Sequence, residues 1–181
     1  MMNTLLPAFP SDIIAFDVPP QPQIDQHLHA NDLPSVTVSN HYGYQSPKHP
    51  IPLPFDIINE ILDQYLDCPV MHEDGWININ QHNAFNERHT HPGSDLSAIY
   101  YHVVPPNSGH LVLTNPHHHT HFNVLSHTKN NNGPALHITP KANQIIIFPS
   151  YIEHKVEPNN STEDRISIAW NIKLNPIQPS L

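Results

Sequence analysis

The chain has 181 residues, of which 38% are hydrophobic, and a single cysteine, Cys68, so it can bury a core but cannot form an intramolecular disulfide. Its formal net charge is −9 with only 7 Lys plus Arg, and so few cations exclude nucleic acid as a main partner. No stretch reaches the roughly 20 apolar residues of a membrane span, and the start MMNTLLPAFPSD lacks the basic region of a signal peptide. We therefore expect a cytoplasmic protein with no membrane partner.

The N-terminal part of the chain contains few segments with clear periodicity. The 21 prolines and 5 glycines favour short extended pieces, because proline fixes φ and removes a backbone donor. A first strand is predicted in SDIIAFDVPP (11–20), and the following QPQIDQHLHANDLPS is either a loop or a short helix. The segment SNHYGYQS (39–46) is predicted to form a turn and loop.

One helix is predicted over LPFDIINEILDQYLDCP (53–69). Its apolar residues recur at helical spacing, and polar residues fill the opposite face. Pro52 and Pro54 precede the segment and Pro69 ends it. The pattern predicts a helix that packs against a sheet.

From Gly75 onward the patterns are those of β-strands. GWININQ alternates, and SDLSAIYYHVV, GHLVLTNP, ALHITP, NQIIIFPS, HKVEP and DRISIAWNIKL follow with turn residues between them. Seven or eight short strands without intervening helices predict an all-β fold with minor α, of the jelly-roll or barrel type. We expect a single domain over 1–181, in which 1–72 form an N-terminal strand and helix buttress and 73–176 form the jelly-roll core.

The stretch ERHTHPGS contains two histidines, His89 and His91, on either side of one residue. Residues i and i+2 of a strand face the same side, so on extended chain both imidazoles would reach the same space. Neutral imidazole is a common ligand of transition metals, but two of them need a third ligand from elsewhere. In a chain with 17 histidines such a pair also arises by chance.

A later segment supplies candidates for the missing groups. In IIIFPSYIEHKVEPNNSTEDRISIAWN, His154 follows a strand and a Pro-Ser turn, and Arg165 opens another strand with Ser167 on the same face. The planar fork of arginine suits a carboxylate ligand. The alternative is a surface ion pair of Arg165 with Asp164 or Glu163 at the strand end.

Three motifs in this order, HTHPGSDLSAIYY, FPSYIEHKV and DRISIAWN, resemble the Fe(II)/2-oxoglutarate-dependent oxygenase superfamily. The resemblance is stronger to its small proteins with the pattern H-x-H…H…R-x-S, and SNHYGYQS and FPSDI also resemble that group. It implies a double-stranded β-helix (jelly roll, cupin-like) buttressed by one or two helices. It further implies an Fe(II)- and 2-oxoglutarate-dependent dioxygenase or hydroxylase that acts on an unidentified small-molecule or peptide substrate.

The resemblance also assigns residues to roles. It implies that His89, His91 and His154 hold the iron, and that Arg165, helped by Ser167, binds the distal carboxylate of 2-oxoglutarate. In related hydroxylases the second tyrosine of an I-Y-Y strand contacts that carboxylate, and Tyr101 occupies this place. Ser97, four residues earlier on the same face, is expected to line the same pocket.

One residue departs from the common pattern of the superfamily. Its usual triad is two histidines and one carboxylate, whereas this chain has His91 at the carboxylate position. Asp95 and Glu87 are alternative carboxylate ligands, and three neutral ligands leave the native metal open, because Ni, Cu and Zn bind such donors more tightly than Fe(II).

Two other functions remain compatible with the sequence. One is a cupin-like three-histidine metalloenzyme that does not use 2-oxoglutarate, and the other is a non-catalytic jelly roll that binds a sugar or a protein. The histidines of HHHTH (117–121) are predicted to be solvated rather than a second metal site. A homodimer formed through edge strands is the alternative to a monomer.

Overall fold

A computed structural model of the chain describes residues 12–30, 33–116 and 134–175. The HHHTH segment lies outside these residues. The described part contains two helices and twelve strands, namely β1 (Ile14–Asp17), α1 (Pro22–Ala30), β2 (Asn40–His41), β3 (Tyr44–Gln45), α2 (Phe55–Leu62), β4 (Val70–His72), β5 (Trp76–Asn80), β6 (Phe85–His89), β7 (Leu96–Val103), β8 (Leu111–Thr114), β9 (Ala135–Ile138), β10 (Gln144–Pro149), β11 (His154–Val156) and β12 (Arg165–Leu174). The predicted all-β class with minor α is confirmed.

The strands form two antiparallel sheets. The larger sheet has the order β1-β10-β7-β12-β5-β3, with β4 also paired to β12, and the smaller sheet has the order β2-β6-β11-β8-β9. Strands that are neighbours in a sheet are often far apart in sequence, because consecutive strands cross between the sheets. Each sheet therefore brings together distant parts of the chain.

The alternation of side chains along β12 divides the core into two parts. Ile168, Trp170 and Ile172 belong to a cluster that also contains the buried residues of both helices, so this face of the larger sheet is covered by α1 and α2. Ala169 belongs to a second cluster, to which both sheets contribute, including Leu111 of β8. Burial of side chains of this size contributes about 1.5–3 kcal/mol each, so the helical buttress stabilises the sheet that it covers.

The helix α2 is shorter than predicted. It buries Ile58 and Leu62, but beyond Leu62 the backbone N–H groups of Gln64 and Tyr65 donate to carbonyls three residues earlier. This tighter turn ends the helix and leaves the side chain of Tyr65 63% exposed, although its spacing continued the apolar pattern. Neither helix in the described ranges has the length and apolar character needed to cross a bilayer.

The segment SNHYGYQS was predicted to form only turn and loop, but it contains β2 and β3. These two-residue strands belong to different sheets, so the turn between them crosses from the smaller sheet to the larger one. A Cβ atom on Gly43 would lie 2.5 Å from the carbonyl oxygen of Ile79, so only glycine allows this close approach. This turn therefore brings β2, the first strand of the smaller sheet, close to β5 of the larger sheet.

Candidate metal centre

Three histidines converge at the end of the β6–β11 pair. His89 ends β6 and His154 begins β11, and the two residues are direct partners in the antiparallel register. His91 lies just beyond the strand, where its backbone N–H donates to the carbonyl of Ser150 at 3.1 Å. The ligand nitrogens of the three rings lie within 4.8 Å of one another. The structure thus places the three predicted ligands at one point.

Hydrogen bonds fix the tautomers of two of these rings. Nδ1 of His89 lies 2.6 Å from the carbonyl oxygen of Glu87, and Nδ1 of His154 lies 3.0 Å from that of Ile152. A carbonyl oxygen only accepts, so each Nδ1 carries the proton and donates it. Nε2 is therefore the unprotonated nitrogen of each ring, as a metal ligand must be, and the backbone holds the ring orientation. Nε2 of His154 also lies 3.3 Å from Nε2 of His91.

Burial keeps two of the imidazoles neutral. It lowers the pKa of His154 to about 3, and repulsion from His89 acts in the same direction. It also lowers the pKa of His91 to about 4, with further contributions from His89 and Lys48. At neutral pH both rings are uncharged, which is the protonation state in which imidazole binds a metal.

The two carboxylates considered as alternative ligands lie elsewhere. Asp95 Oδ2 accepts from the backbone N–H of Leu174 at 2.8 Å, and Glu87 Oε2 lies 3.0 Å from Nε2 of His41. Neither joins the cluster, so among the described residues this centre consists of three histidines.

A cavity that is partly open to solvent adjoins the three rings. Its other polar wall residues are Ser39, Asn78, Asn86, Ser97, Tyr101 and Ser167. Three of the predicted pocket residues, Ser97, Tyr101 and Ser167, therefore lie in the wall. The hydroxyl of Ser97 lies 2.8 Å from that of Ser150.

The guanidinium group of Arg165 is buried but incompletely paired. The residue is 1% exposed, and its Nη1 donates to the backbone carbonyl of Ser108. Its Nε and Nη2 have no partner among the described residues, and neither has the buried hydroxyl of Tyr101. Arg165 does not line the cavity itself, although Tyr101 does. The predicted alternative, an ion pair of Arg165 with Asp164 or Glu163, does not form in the described part of the chain.

Burial also acts on the ionisation of these two groups. It raises the pKa of Tyr101, and the charge of Arg165 opposes that shift. It lowers the pKa of Arg165, and Tyr101 acts in the opposite direction. The tyrosine is therefore a neutral hydroxyl donor at neutral pH.

The sequence did not single out all of the polar wall. Asn86 Nδ2 donates to Ser39 Oγ at 3.2 Å, and Asn78 Oδ1 lies 3.4 Å from the side-chain amides of both Asn40 and Asn86. The three asparagines lie in β2, β5 and β6, Ser39 directly precedes β2, and together they join the two sheets beside the cavity. The asparagines at alternate positions of the apolar strand GWININQ were the available signal, but they are equally compatible with packing.

The sequence matches one family profile. The profile described as "Putative 2OG-Fe(II) oxygenase" matches residues 74–171, which is more than half of the chain. The matched range contains all three histidines of the metal centre and Arg165. No curated protein matches the chain at a significant level.

Solved structures share the fold at low sequence identity. HygX from Streptomyces hygroscopicus, with nickel, 2-oxoglutarate and hygromycin B bound, is 11% identical with a TM-score of 0.60 over 90% of this chain and 83% of that chain. The viral collagen prolyl hydroxylase vCPH from Paramecium Bursaria Chlorella virus-1 is 14% identical with a TM-score of 0.56, over 88% and 94% of the two chains. An oxidoreductase of the 2OG-Fe(II) oxygenase family from Burkholderia pseudomallei is 16% identical with a TM-score of 0.53, over 84% and 76%. The predicted jelly-roll fold is confirmed.

Proposed function

The chain belongs to the 2OG-Fe(II) oxygenase family, so it is an enzyme that depends on Fe(II) and 2-oxoglutarate, and from this premise we propose which residues hold the two cofactors. His89, His91 and His154 hold the iron. Arg165, Tyr101 and Ser167 bind the distal carboxylate of 2-oxoglutarate, with Ser97 in the same pocket. The primary substrate is a small molecule or a peptide that enters the cavity beside the three rings.

The three-histidine cluster fits a divalent transition metal. Two of its rings are held in the Nε2 ligand tautomer, and the centre carries no anionic ligand of its own. An imidazole set suits iron, nickel, copper and zinc, so the donor set is compatible with Fe(II) and the family supplies its identity. When bound, iron and 2-oxoglutarate together supply an oxidation of substrate by dioxygen that is coupled to decarboxylation of 2-oxoglutarate to succinate.

The single observation that carries the cosubstrate assignment is the unpaired guanidinium of Arg165. Its free Nε and Nη2 groups lie on one edge of the guanidinium, which is the edge that binds a carboxylate in a bidentate manner. A buried cation without an anion is strongly unfavourable, and a carboxylate bound beside it would neutralise the charge and pair the free N–H groups. The free hydroxyl of Tyr101 supplies a third donor to the same anion.

Each of these side chains has a defined task in the proposed site. Arg165 neutralises the distal carboxylate and, with Tyr101, orients the cosubstrate toward the histidines. The rings of His91 and His154 are neutral, so each has one unprotonated nitrogen with which it can bind a metal. The apolar neighbours Phe148 and Ala169 line the cavity and restrict water around the reacting groups.

The two alternative functions lose support. A binding protein without catalysis is inconsistent with membership of an oxygenase family. A three-histidine enzyme that does not use 2-oxoglutarate would leave Arg165 and Tyr101 buried with no anion to bind.

The proposal is tested by anaerobic addition of Fe(II) and 2-oxoglutarate to the metal-free protein. We expect the weak visible charge-transfer band of the chelate, and succinate once oxygen and a substrate are supplied. His154→Ala should show no band, because the metal loses one of three ligands. If the wild type gives no band and calorimetry detects no binding of 2-oxoglutarate, the assignment of these residues is wrong.

A further inference from the structure

A second group of metal-binding side chains lies away from the cavity, on the smaller sheet. We call His110, His137 and Glu157 the triad cluster. His110 directly precedes β8, His137 lies in β9, and Glu157 directly follows β11, while β8 lies between the other two strands. The three side chains each offer a ligand atom, and these atoms all lie within 4.8 Å of one another. None of them lines the cavity.

The carboxylate of Glu157 is shared between the two imidazoles. Its Oε2 lies 2.7 Å from Nδ1 of His110, and its Oε1 lies 3.5 Å from Nδ1 of His137. The backbone N–H of His110 also donates to Oε2 at 3.3 Å. Each carboxylate oxygen therefore faces a different ring, and both rings turn the same nitrogen toward it.

The backbone holds this arrangement in place. The N–H of Glu157 donates to the carbonyl of His110 at 2.9 Å, so the two ligands are joined by main chain as well as side chain. Gly109 has φ +84°, and a Cβ atom there would lie 2.6 Å from the carbonyl oxygen of Glu157. The turn before β8 thus packs closely against the chain after β11. Antiparallel pairing of His137 with Val112 holds β9 next to β8.

We propose that the triad cluster is a second metal site, which takes a borderline divalent transition ion such as Zn²⁺. Two imidazoles and one carboxylate are a donor set of this class, whereas Mg²⁺ and Ca²⁺ prefer oxygen ligands. The half-exposed histidines leave room for water as a fourth ligand. One carboxylate gives the site a charge of −1, in a chain whose net charge is −9, so electrostatics favour a bound cation.

The distances require little rearrangement. Ligands about 2.0–2.2 Å from a tetrahedral Zn²⁺ lie roughly 3.3–3.6 Å apart. The His137–Glu157 separation of 3.5 Å already lies in this range, and the His110–Glu157 separation of 2.7 Å needs to open by less than about 1 Å. The ion would replace the proton that His110 shares with Glu157.

A metal at this position would join three strands of the smaller sheet. It would tie the edge strand β9 to β8 and to β11, which also carries His154 of the first centre. Because the ion binds the folded state alone, it should stabilise the fold by mass action without taking part in the oxidation. The role is structural and is independent of the proposed function of the cavity.

The test is a Zn²⁺ titration of tag-free, full-length protein against a chromophoric chelator. His117, His118, His119, His121 and His127 are first replaced by Gln, so that the chain between β8 and β9 cannot bind the ion itself. We expect this background protein to bind two equivalents of Zn²⁺. Adding His137→Ala should remove one equivalent, or weaken it at least 100-fold, since loss of a ligand exceeds the roughly 10–100-fold effect of losing a supporting contact.

A matched control separates a metal site from an ordinary ion pair. His41 pairs with Glu87 at 3.0 Å without a second histidine, so His41→Ala should leave both equivalents unchanged. Glu157→Gln, which keeps the shape, should act like His137→Ala and provides the readout if that variant does not fold. Zn²⁺ should also raise the thermal midpoint of the background protein more than that of Glu157→Gln. The same number of equivalents in the background protein and in both triad variants would overturn the proposal, whether or not the first centre binds Zn²⁺.

Discussion

Two groups near the cavity differ in electrostatic character. One is the cluster of His89, His91 and His154, which we call the metal end, and the other is Arg165, two residues before the wall residue Ser167, which we call the arginine end. At the metal end three imidazoles converge, and their ligand nitrogens lie within 4.8 Å of one another. At the arginine end a buried guanidinium of the larger sheet has two N–H groups, Nε and Nη2, without a partner in residues 12–30, 33–116 and 134–175. In the proposed site a metal would bind at the metal end and the distal carboxylate of 2-oxoglutarate would bind at the arginine end.

The two ends differ in how they accommodate burial. An imidazole can lose its proton, and His91 and His154 do so at neutral pH because burial lowers their pKa to about 4 and about 3. A guanidinium does not deprotonate in proteins, so Arg165 remains charged and the cost of its burial persists. The metal end therefore contains no buried charge on His91 or His154 at neutral pH, whereas the arginine end keeps a buried positive charge.

The largest effect is expected at the metal end. His154→Ala removes a buried ligand of the metal, and we expect iron binding to be lost and turnover to fall by at least ~10³-fold. Metal content and succinate formation measure this. His82→Ala is the control, since His82 is exposed and bonded to the carbonyl of Ser161 at 2.9 Å, and it should retain both properties.

At the arginine end, Arg165→Met should change two properties in opposite directions. We expect the Kd for 2-oxoglutarate to rise by at least ~100-fold, because breaking a buried pair costs about 3–5 kcal/mol. The protein without cosubstrate should become more stable by about 1–4 kcal/mol, because an apolar side chain replaces an unpaired buried cation. Calorimetry and urea unfolding measure the two effects.

Arg88→Met is the matched control for that variant. Arg88 forms an ion pair with Glu153 at 2.9 Å, and both side chains are about half exposed, at 48% and 46%. Such surface pairs contribute about 0–1 kcal/mol, so neither property should move by more than that. A change of less than ~0.5 kcal/mol in 2-oxoglutarate binding for Arg165→Met would contradict the proposed role of Arg165.

Acid should destabilise the metal-free protein because His91 and His154 stay neutral in the fold. In the unfolded chain imidazole binds protons below about pH 6.5, whereas in the fold His91 and His154 stay neutral down to about 4 and about 3. The unfolded state therefore binds more protons, and the free energy of unfolding falls as pH falls from about 6.5 to about 4. The expected slope is about one to two protons, or ~1.4–2.7 kcal/mol per pH unit.

Urea unfolding of chelator-treated protein at a series of pH values measures this slope. His154→Gln should lower it by about one proton, because one of the two buried imidazoles is gone. An equal slope in the variant and the wild type would mean that other groups cause the acid sensitivity.

The smallest of these effects distinguishes two adjacent tyrosines. Tyr101→Phe removes an unpaired hydroxyl near Arg165, and we expect the Kd for 2-oxoglutarate to rise by ~10-fold, the value of one hydrogen bond to a charged group. Tyr100→Phe is the matched control, because its hydroxyl faces the other side of β7 and donates to Asn143 at 3.0 Å. It should cost about 1 kcal/mol of stability and leave 2-oxoglutarate binding unchanged.

Much of the fold was predictable because strands such as β5, β7, β10 and β12 carry apolar alternation in their own sequence. The exceptions are strands held by their partners. In β6 the sequence FNERH has no apolar alternation, and it is extended because it pairs with β2 and β11. The strands β2 and β3 are two residues long, which is too short for any periodicity.

The candidate site was predictable to a different degree at its two ends. The sequence singled out the three histidines that the structure brings together. However, i, i+2 spacing on one strand does not explain why His89 and His91 are close, because His91 lies beyond β6 and is positioned by its backbone hydrogen bond to Ser150. The unpaired state of Arg165 depends on long-range contacts, so no local pattern could show it. The triad cluster was missed because its residues come from three strands that only the sheet brings together.

The direct pairing of His89 with His154 across two strands has a consequence for how the enzyme matures. During synthesis the first of these residues leaves the ribosome well before the second, and nothing near it in sequence can complete the set. On the proposed assignment, iron would bind only after β6 and β11 have paired in native register, since a slip of one residue would turn one ring to the opposite face. Metal loading would then follow folding of the two strands rather than precede it.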